Sequence, residues 1–224
     1  MGSSPSFLDA AILPLIRGTR ILDIGCGWGR WGCLLRTNYF EWGINNFPLV
    51  TGMDGDESCV NACKQLGVYD KVYCQMFPCV LKEKSFDTVL ASEIIEHLTT
   101  DQVHLFLAEC EKAARYRVII TTPNFQCIRG GSQGPLGYNE LDHHQCFVSQ
   151  TDLKKRGYTI LGAGFSARSY LPARFLARFL KLLGFQDWKA LSSLSIAFPK
   201  LAHTTIAFKD TENCPLPEVD HYRL

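Results

Sequence analysis

Ile21-Leu22-Asp23-Ile24-Gly25-Cys26-Gly27-Trp28-Gly29 is the stretch of this chain best suited to hold a small ligand. An apolar run leads directly into three glycines at alternate positions. Glycine permits unusual φ values and lets backbone approach a ligand closely. A helix opening behind such a loop offers free amides to a polar or anionic group. The loop alone is a weak signal, because nicotinamide and flavin sites also use glycines. A tight strand-to-helix turn is the alternative. Asp23, two residues before the first glycine, narrows the choice. A carboxylate there accepts hydrogen bonds or meets a cation, and it disfavours a pyrophosphate. A sulfonium amino acid with an ammonium group suits it. Asp54, in Gly52-Met53-Asp54-Gly55-Asp56, follows the next apolar run. An acid at that place suits the two hydroxyls of a ribose.

Three further residues, Glu93, Glu96 and His97, share a face if the segment is helical. With His144 they form a two-carboxylate, two-histidine set able to hold a divalent metal. The other reading gives Glu93 and His97 hydrogen bonds to nearby backbone and no metal. His143 and His144 are the candidates for a general base. Exposed polar histidines are the alternative there.

These residues need a frame, and the order of signals supplies one. Strands are expected at Arg20–Ile24, Leu49–Met53, Lys71–Gln75, Phe86–Ala91, Arg117–Thr122, Tyr158–Phe165 and Thr204–Lys209. Helices are expected at Phe7–Ile16 with Ser6 as cap, from Arg30, at Glu57–Leu66 stopped by Gly67, and at Asp101–Ala114 capped by Thr99 or Thr100. Alternating strand and helix predicts an α/β fold with a Rossmann-like, predominantly parallel seven-stranded sheet, its last strand antiparallel, and helices on both faces. One domain over residues 1–224 is expected. Residues 124–147, rich in Gly, Asn, Gln and His, are too long for a plain connection, which predicts a lid beside a substrate.

Composition bounds the classes. With 224 residues and a net charge of +1, the chain suits one globular domain and not a dedicated nucleic-acid binder. No apolar run approaches the roughly 20 residues of a membrane span. No secretory signal opens the chain, and the ten cysteines lack zinc spacing. A cytoplasmic protein with reduced thiols is expected. Residues 151–200 are distinctly basic, with 9 Lys and Arg against 2 Asp and Glu. A helical insertion is expected over about 171–202. Within it Leu171–Gly184 has an apolar face of Phe175, Leu176, Phe179, Leu182 and Leu183 and a basic stripe of Arg174, Arg178 and Lys181. Two readings stand: a helix covering the sheet with its charges in water, or contact with an anionic carrier or membrane surface.

Asp23-Ile24-Gly25-Cys26-Gly27-Trp28-Gly29 resembles the D-x-G-C-G-x-G cofactor loop of class I S-adenosylmethionine-dependent methyltransferases. Phe86 to Leu98, with its E-x-x-E-H-L ending, is similar to that superfamily's fourth strand and turn in the branch of the ubiquinone-biosynthesis O-methyltransferases. Thr121-Thr122-Pro123-Asn124 resembles its T-P-N, and His144 with Phe147-Val148-Ser149 and Leu153 resembles its H-x-x-x-W-T-x-x-E-L. The chain also resembles small bacterial methyltransferases. The resemblance implies S-adenosyl-L-methionine as cofactor. It implies Asp23, Gly25, Gly27 and Gly29 around the methionine part, Asp54 on the ribose, Gly55 beside the adenine and Ser92 near the methionine moiety. Relatives often carry an acid after the third strand for the adenine amine. Here Gln75 or backbone amides would replace it. The implied reaction is methyl transfer to an oxygen or nitrogen of a small metabolite, glycan or lipid-linked intermediate. The alternatives are a metal-assisted RNA 2′-O-methyltransferase, since small-RNA enzymes of that kind use a similar E-x-x-E-H, and a catalytically silent cofactor-binding scaffold.

Overall fold

The fold is given by a computed structural model. It describes residues 4–41, 47–127, 130–134, 137–166 and 198–211, and single positions 175, 179, 182, 195 and 196. Strands β1 (Arg20–Ile24), β2 (Leu49–Asp54), β3 (Lys71–Cys74), β4 (Phe86–Ser92) and β5 (Ala114–Pro123) alternate with helices. The helices are α1 (Asp9–Ile12), α2 (Arg30–Glu41), α3 (Glu57–Leu66), α4 (Thr100–Ala113) and α5 (Gln150–Lys155). A short hairpin of β6 (Ser132–Gly134) and β7 (Gly137–Asn139) precedes β8 (Thr159–Phe165) and β9 (Ala202–Asp210). The main sheet has the order β3-β2-β1-β4-β5-β9-β8. β9 runs antiparallel to both β5 and β8, while β3, β2, β1, β4 and β5 pair in parallel. This is the Rossmann-like sheet expected from the sequence.

Strand parity explains why the central strands read as continuous apolar runs. Successive side chains point to opposite faces, and helices cover both. Leu22, Val89, Val118 and Ile120 pack with Phe106 and Leu107 of α4 in one core. Ile21, Leu90, Ile119 and Ile206 pack with Ile12, Trp31 and Leu35 in the other.

Local signals set the helix ends. The Asp56 side chain accepts from the Ser58 amide to start α3, and Gly67 ends it in the left-handed region at φ 64°. Thr99 and Gln102 form a reciprocal capping box on α4.

Some expectations are revised. The continuous helix expected at Phe7–Ile16 is instead α1 flanked by the 3-10 turns Ser6–Leu8 and Leu13–Leu15. Pro14 has no amide to donate, and Ser6 lies inside the first turn, which has no side-chain cap. The 124–147 stretch carries the β6–β7 hairpin and a 3-10 turn at Glu140–Asp142. Most of the expected basic helix at 171–184 lies outside the described residues. Among those described, Phe175, Phe179 and Leu182 are helical and exposed. No helix among the described residues is long and apolar enough to cross a membrane.

Candidate active site

A cavity of about 340 Å³ opens at the carboxyl ends of β1, β2 and β4. Strand order reverses between β1 and β4, and ligands of open α/β sheets bind at such a switch point. Ile24, Gly25, Gly27, Asp54, Gly55, Gln75, Ser92 and Glu93 all line it.

The glycine loop is tied to β2. The amides of Gly25 and Cys26 donate to the Met53 carbonyl at 2.7 and 3.1 Å. The Gly27 amide donates to Asp54 Oδ2 at 2.8 Å, and the Asp56 amide donates to Asp54 Oδ1 at 2.9 Å. Burial pushes the Asp54 carboxyl up from its ordinary range, and these amide hydrogen bonds oppose the shift. Gly25 has φ 72°, and a Cβ there would lie 1.9 Å from Ile94 Cδ1. Only glycine lets Ile94 sit against the loop. Gln75 donates its amide to the Asp54 carbonyl at 2.8 Å, which fixes the chain after β3.

Of the expected cofactor residues, Asp23 and Gly29 do not line the cavity. Asp23 is fully buried. The Tyr69 hydroxyl donates to its Oδ2 at 2.6 Å, while Oδ1 has no hydrogen-bond partner among the described residues. Burial pushes this carboxyl up to about 7. The Gly32 amide in turn donates to the Tyr69 hydroxyl at 3.2 Å. Tyr69 therefore joins the end of β1 to the first turn of α2. No spacing in the sequence marked it.

Glu93 turns out of β4 in the left-handed region, at φ 58°. A non-glycine residue there stores strain, and such strain gathers at functional sites. The Glu93 amide donates to the Thr121 carbonyl at 3.0 Å, and Thr121 Oγ1 donates to Glu93 Oε1 at 2.9 Å. Ser92 Oγ lies 2.8 Å from both Thr121 Oγ1 and Ser4 Oγ. Trp31 Nε1 donates to that same Ser4 oxygen at 3.1 Å. The approach of Ser4 to the site had no sequence signal.

The far wall is fastened to the turn after β4. The amides of Gln145 and Cys146 donate to the Glu96 carbonyl at 2.7 and 3.2 Å. His97 Nδ1 lies 3.2 Å from the His143 carbonyl, and Gln145 Nε2 donates to the His97 carbonyl at 2.7 Å. His143 is exposed and lines the cavity, whereas His144 is buried behind it and does not. The rings of His97 and His144 meet edge to face at 4.8 Å. Of the four residues considered for a metal, Glu96, His97 and His144 place one ligand atom each within 4.8 Å of one another. Glu93 stands outside that group, and Glu96 also accepts from Thr122 Oγ1 at 3.0 Å.

Comparison with known proteins agrees with this fold. The family model of mycolic acid cyclopropane synthetase matches residues 8–127, more than half of the chain. No curated protein matches the chain by sequence. Solved structures share the fold at low identity. A SAM-dependent methyltransferase from Archaeoglobus fulgidus is 16% identical, with 91% of this chain and 93% of that one covered at a TM-score of 0.52. The 1,6-didemethyltoxoflavin-N1-methyltransferase of Burkholderia thailandensis, with S-adenosylhomocysteine bound, is 17% identical, covering 91% and 76% at 0.51. The magnesium protoporphyrin IX methyltransferase of Synechocystis, with SAH bound, is 15% identical, covering 91% and 80% at 0.51.

Proposed function

Since the chain belongs to the mycolic acid cyclopropane synthetase family and is an S-adenosylmethionine-dependent methyltransferase, we propose that this cavity holds the cofactor and passes its methyl group to an oxygen or nitrogen of a small molecule. The observation that carries the reading is the convergence of Gly25, Gly27 and Asp54 on one cavity at the switch point. In this arrangement Gln75 and Gly55 flank the adenine, Asp54 takes the ribose hydroxyls, and the glycine loop borders the methionine part. Asp23 acts from beneath the loop through Tyr69, not by touching the ligand. Small metabolites, glycans and lipid-linked intermediates all fall within the proposed acceptor range. His143, the member of the predicted histidine pair that faces the cavity, stands where it can meet an acceptor. Titration calorimetry with S-adenosylhomocysteine is the direct test. About one site per chain is expected. Folded protein with no heat of binding at any accessible concentration would sink the reading.

A second reading rests on the grouping of Glu96, His97 and His144. One carboxylate and two imidazoles suit a divalent transition metal. An ion there would anchor the 139–146 wall, and it would serve a hydroxyl acceptor, RNA included, only through the His97 side, the one ligand that lines the cavity. Elemental analysis after zinc loading and desalting should find about one ion per chain, and His144→Ala should lose most of it because one ligand is gone. Parent protein that retains no ion removes this reading and leaves the methyl-transfer proposal intact.

A further inference from the structure

Sheet order fixes the direction in which the cofactor would lie. Gln75 follows β3, Asp54 ends β2, and the glycine loop follows β1. Adenine, ribose and methionine would therefore span the ends of β3, β2 and β1 in turn. The next strand outward is β4, and the first residue beyond it is Glu93. The reactive sulfonium methyl would face that side. Glu93 lines the cavity, as Gly25 does, and is the first carboxylate after β4; Glu96, three residues on, does not line it.

Two features show that this carboxylate is held rather than left to wander. Its backbone takes the left-handed conformation, where glycine would be favoured, at φ 58°. Its Oε1 accepts from Thr121 Oγ1 at 2.9 Å, and the Thr121 hydroxyl lies 2.8 Å from that of Ser92 in the buried edge of β4 and β5. A turn that served only to change direction would gain from glycine at this position. Keeping a glutamate here, with two neighbouring hydroxyls buried beside it, points to use of the side chain.

We propose that Glu93 faces the transferring methyl group and takes the proton of the acceptor, so that the acceptor is an O–H or N–H compound. This rests on the cofactor assignment made above. In the step, a lone pair of the acceptor oxygen or nitrogen forms a bond to the methyl carbon. The carbon–sulfur bond breaks, and its electron pair stays on sulfur to give S-adenosylhomocysteine. The acceptor's proton passes to the Glu93 carboxylate. One positive charge on sulfur and one negative charge on glutamate are both removed, so charge balances. Thr121 is a positioning residue, because it orients the carboxylate without facing the acceptor.

The test needs no knowledge of the acceptor. Sinefungin is a cofactor analogue in which an amine-bearing carbon, CH–NH2, replaces the methyl-bearing sulfonium. Its ammonium group would stand where the methyl and acceptor meet, against a carboxylate at that place. S-Adenosylhomocysteine lacks both groups and serves as the control for folding and for the cofactor site. Glu93→Gln keeps the side-chain shape and removes the charge. It is expected to weaken sinefungin by about tenfold or more, as loss of a charge-assisted pair does, with S-adenosylhomocysteine affinity within about twofold of parent. Thr121→Val should weaken sinefungin less, in the same direction. A sinefungin preference unchanged in Glu93→Gln overturns the inference, as does a loss confined to His143→Ala. Failure of S-adenosylhomocysteine to bind folded parent protein instead overturns the cofactor assignment, so the two failures are distinguishable.

Discussion

Gly27→Val is expected to abolish binding of S-adenosylhomocysteine while leaving the sheet folded. Gly27 sits at φ 49°, and a Cβ built there meets nothing within 4 Å. The added side chain therefore extends into open cavity and not into the core. Two effects combine. A β-branched residue in the left-handed region costs about 1–2 kcal/mol, which tilts the loop away from its present path. The Gly27 amide then loses its line to Asp54 Oδ2, the partner that joins loop to β2. The isopropyl group also fills the space that the ligand needs. Affinity should fall by at least about 100-fold, or about 2.7 kcal/mol. Calorimetry reads the affinity, and far-ultraviolet circular dichroism with a thermal melt reads the fold. Binding within tenfold of parent would mean that the loop is a turn and nothing more.

Asp23→Asn should make the protein more stable above neutral pH. The folded chain holds the Asp23 proton up to about pH 7, against an ordinary value of 3.8. Between those two values the native state binds the extra proton and the unfolded state does not. Stability from this group is complete below about pH 4, declines as pH rises, and is lost above about 7. The gap corresponds to about 4 kcal/mol. Asparagine cannot ionise, and its oxygen can still accept from Tyr69. The variant should be less stable than the parent near pH 4, where the parent's buried carboxyl is neutral, and exceed it near pH 8. The excess should be about 1–3 kcal/mol, because a new buried amide donor without a partner takes back part of the gain. Urea denaturation at pH 4, 6 and 8 measures it. Parallel pH profiles for the two proteins would show that Asp23 does not carry the proton.

Which parts of this were readable in advance follows from how local each cause is. β1 and α3 fall on the expected bounds because their signals are local: a buried run for one, an Asp56 cap and Gly67 stop for the other. Asp23 shows the limit of motif reading. Ile24 lines the cavity, and its neighbour Asp23 points to the opposite face, beside Tyr69. Period-two parity along β1 required this, since Ile21 shares that face in the core under α2. The shared face proposed for Glu93, Glu96 and His97 assumed a helix. The chain instead makes a left-handed turn at Glu93 and a 3-10 turn at Ile95–His97, so the spacing argument fails for Glu93 and holds for the other two. His144 reaches them through amides of Gln145 and Cys146 bonded to the Glu96 carbonyl. That contact spans a long loop and has no local sequence signal. The same holds for Ser4 against Ser92.

The insertion of β9 between β5 and β8 sets an order on assembly. Residues 114–123 can pair with β4 as soon as they are made, but their other edge waits for residues 202–210. At about 5–20 residues per second on a ribosome, that delay is roughly 4–17 s. During it, the longest strand of the sheet presents open amides and carbonyls flanked by Ile119 and Ile120, the kind of edge that recruits other chains. β8 cannot dock earlier, because its partner in the sheet is β9. A nascent chain of this protein thus presents an aggregation-prone five-stranded part of the seven-stranded sheet until β9 arrives. Yield of folded protein should depend on chaperone supply and synthesis rate more than the finished sheet's stability would suggest.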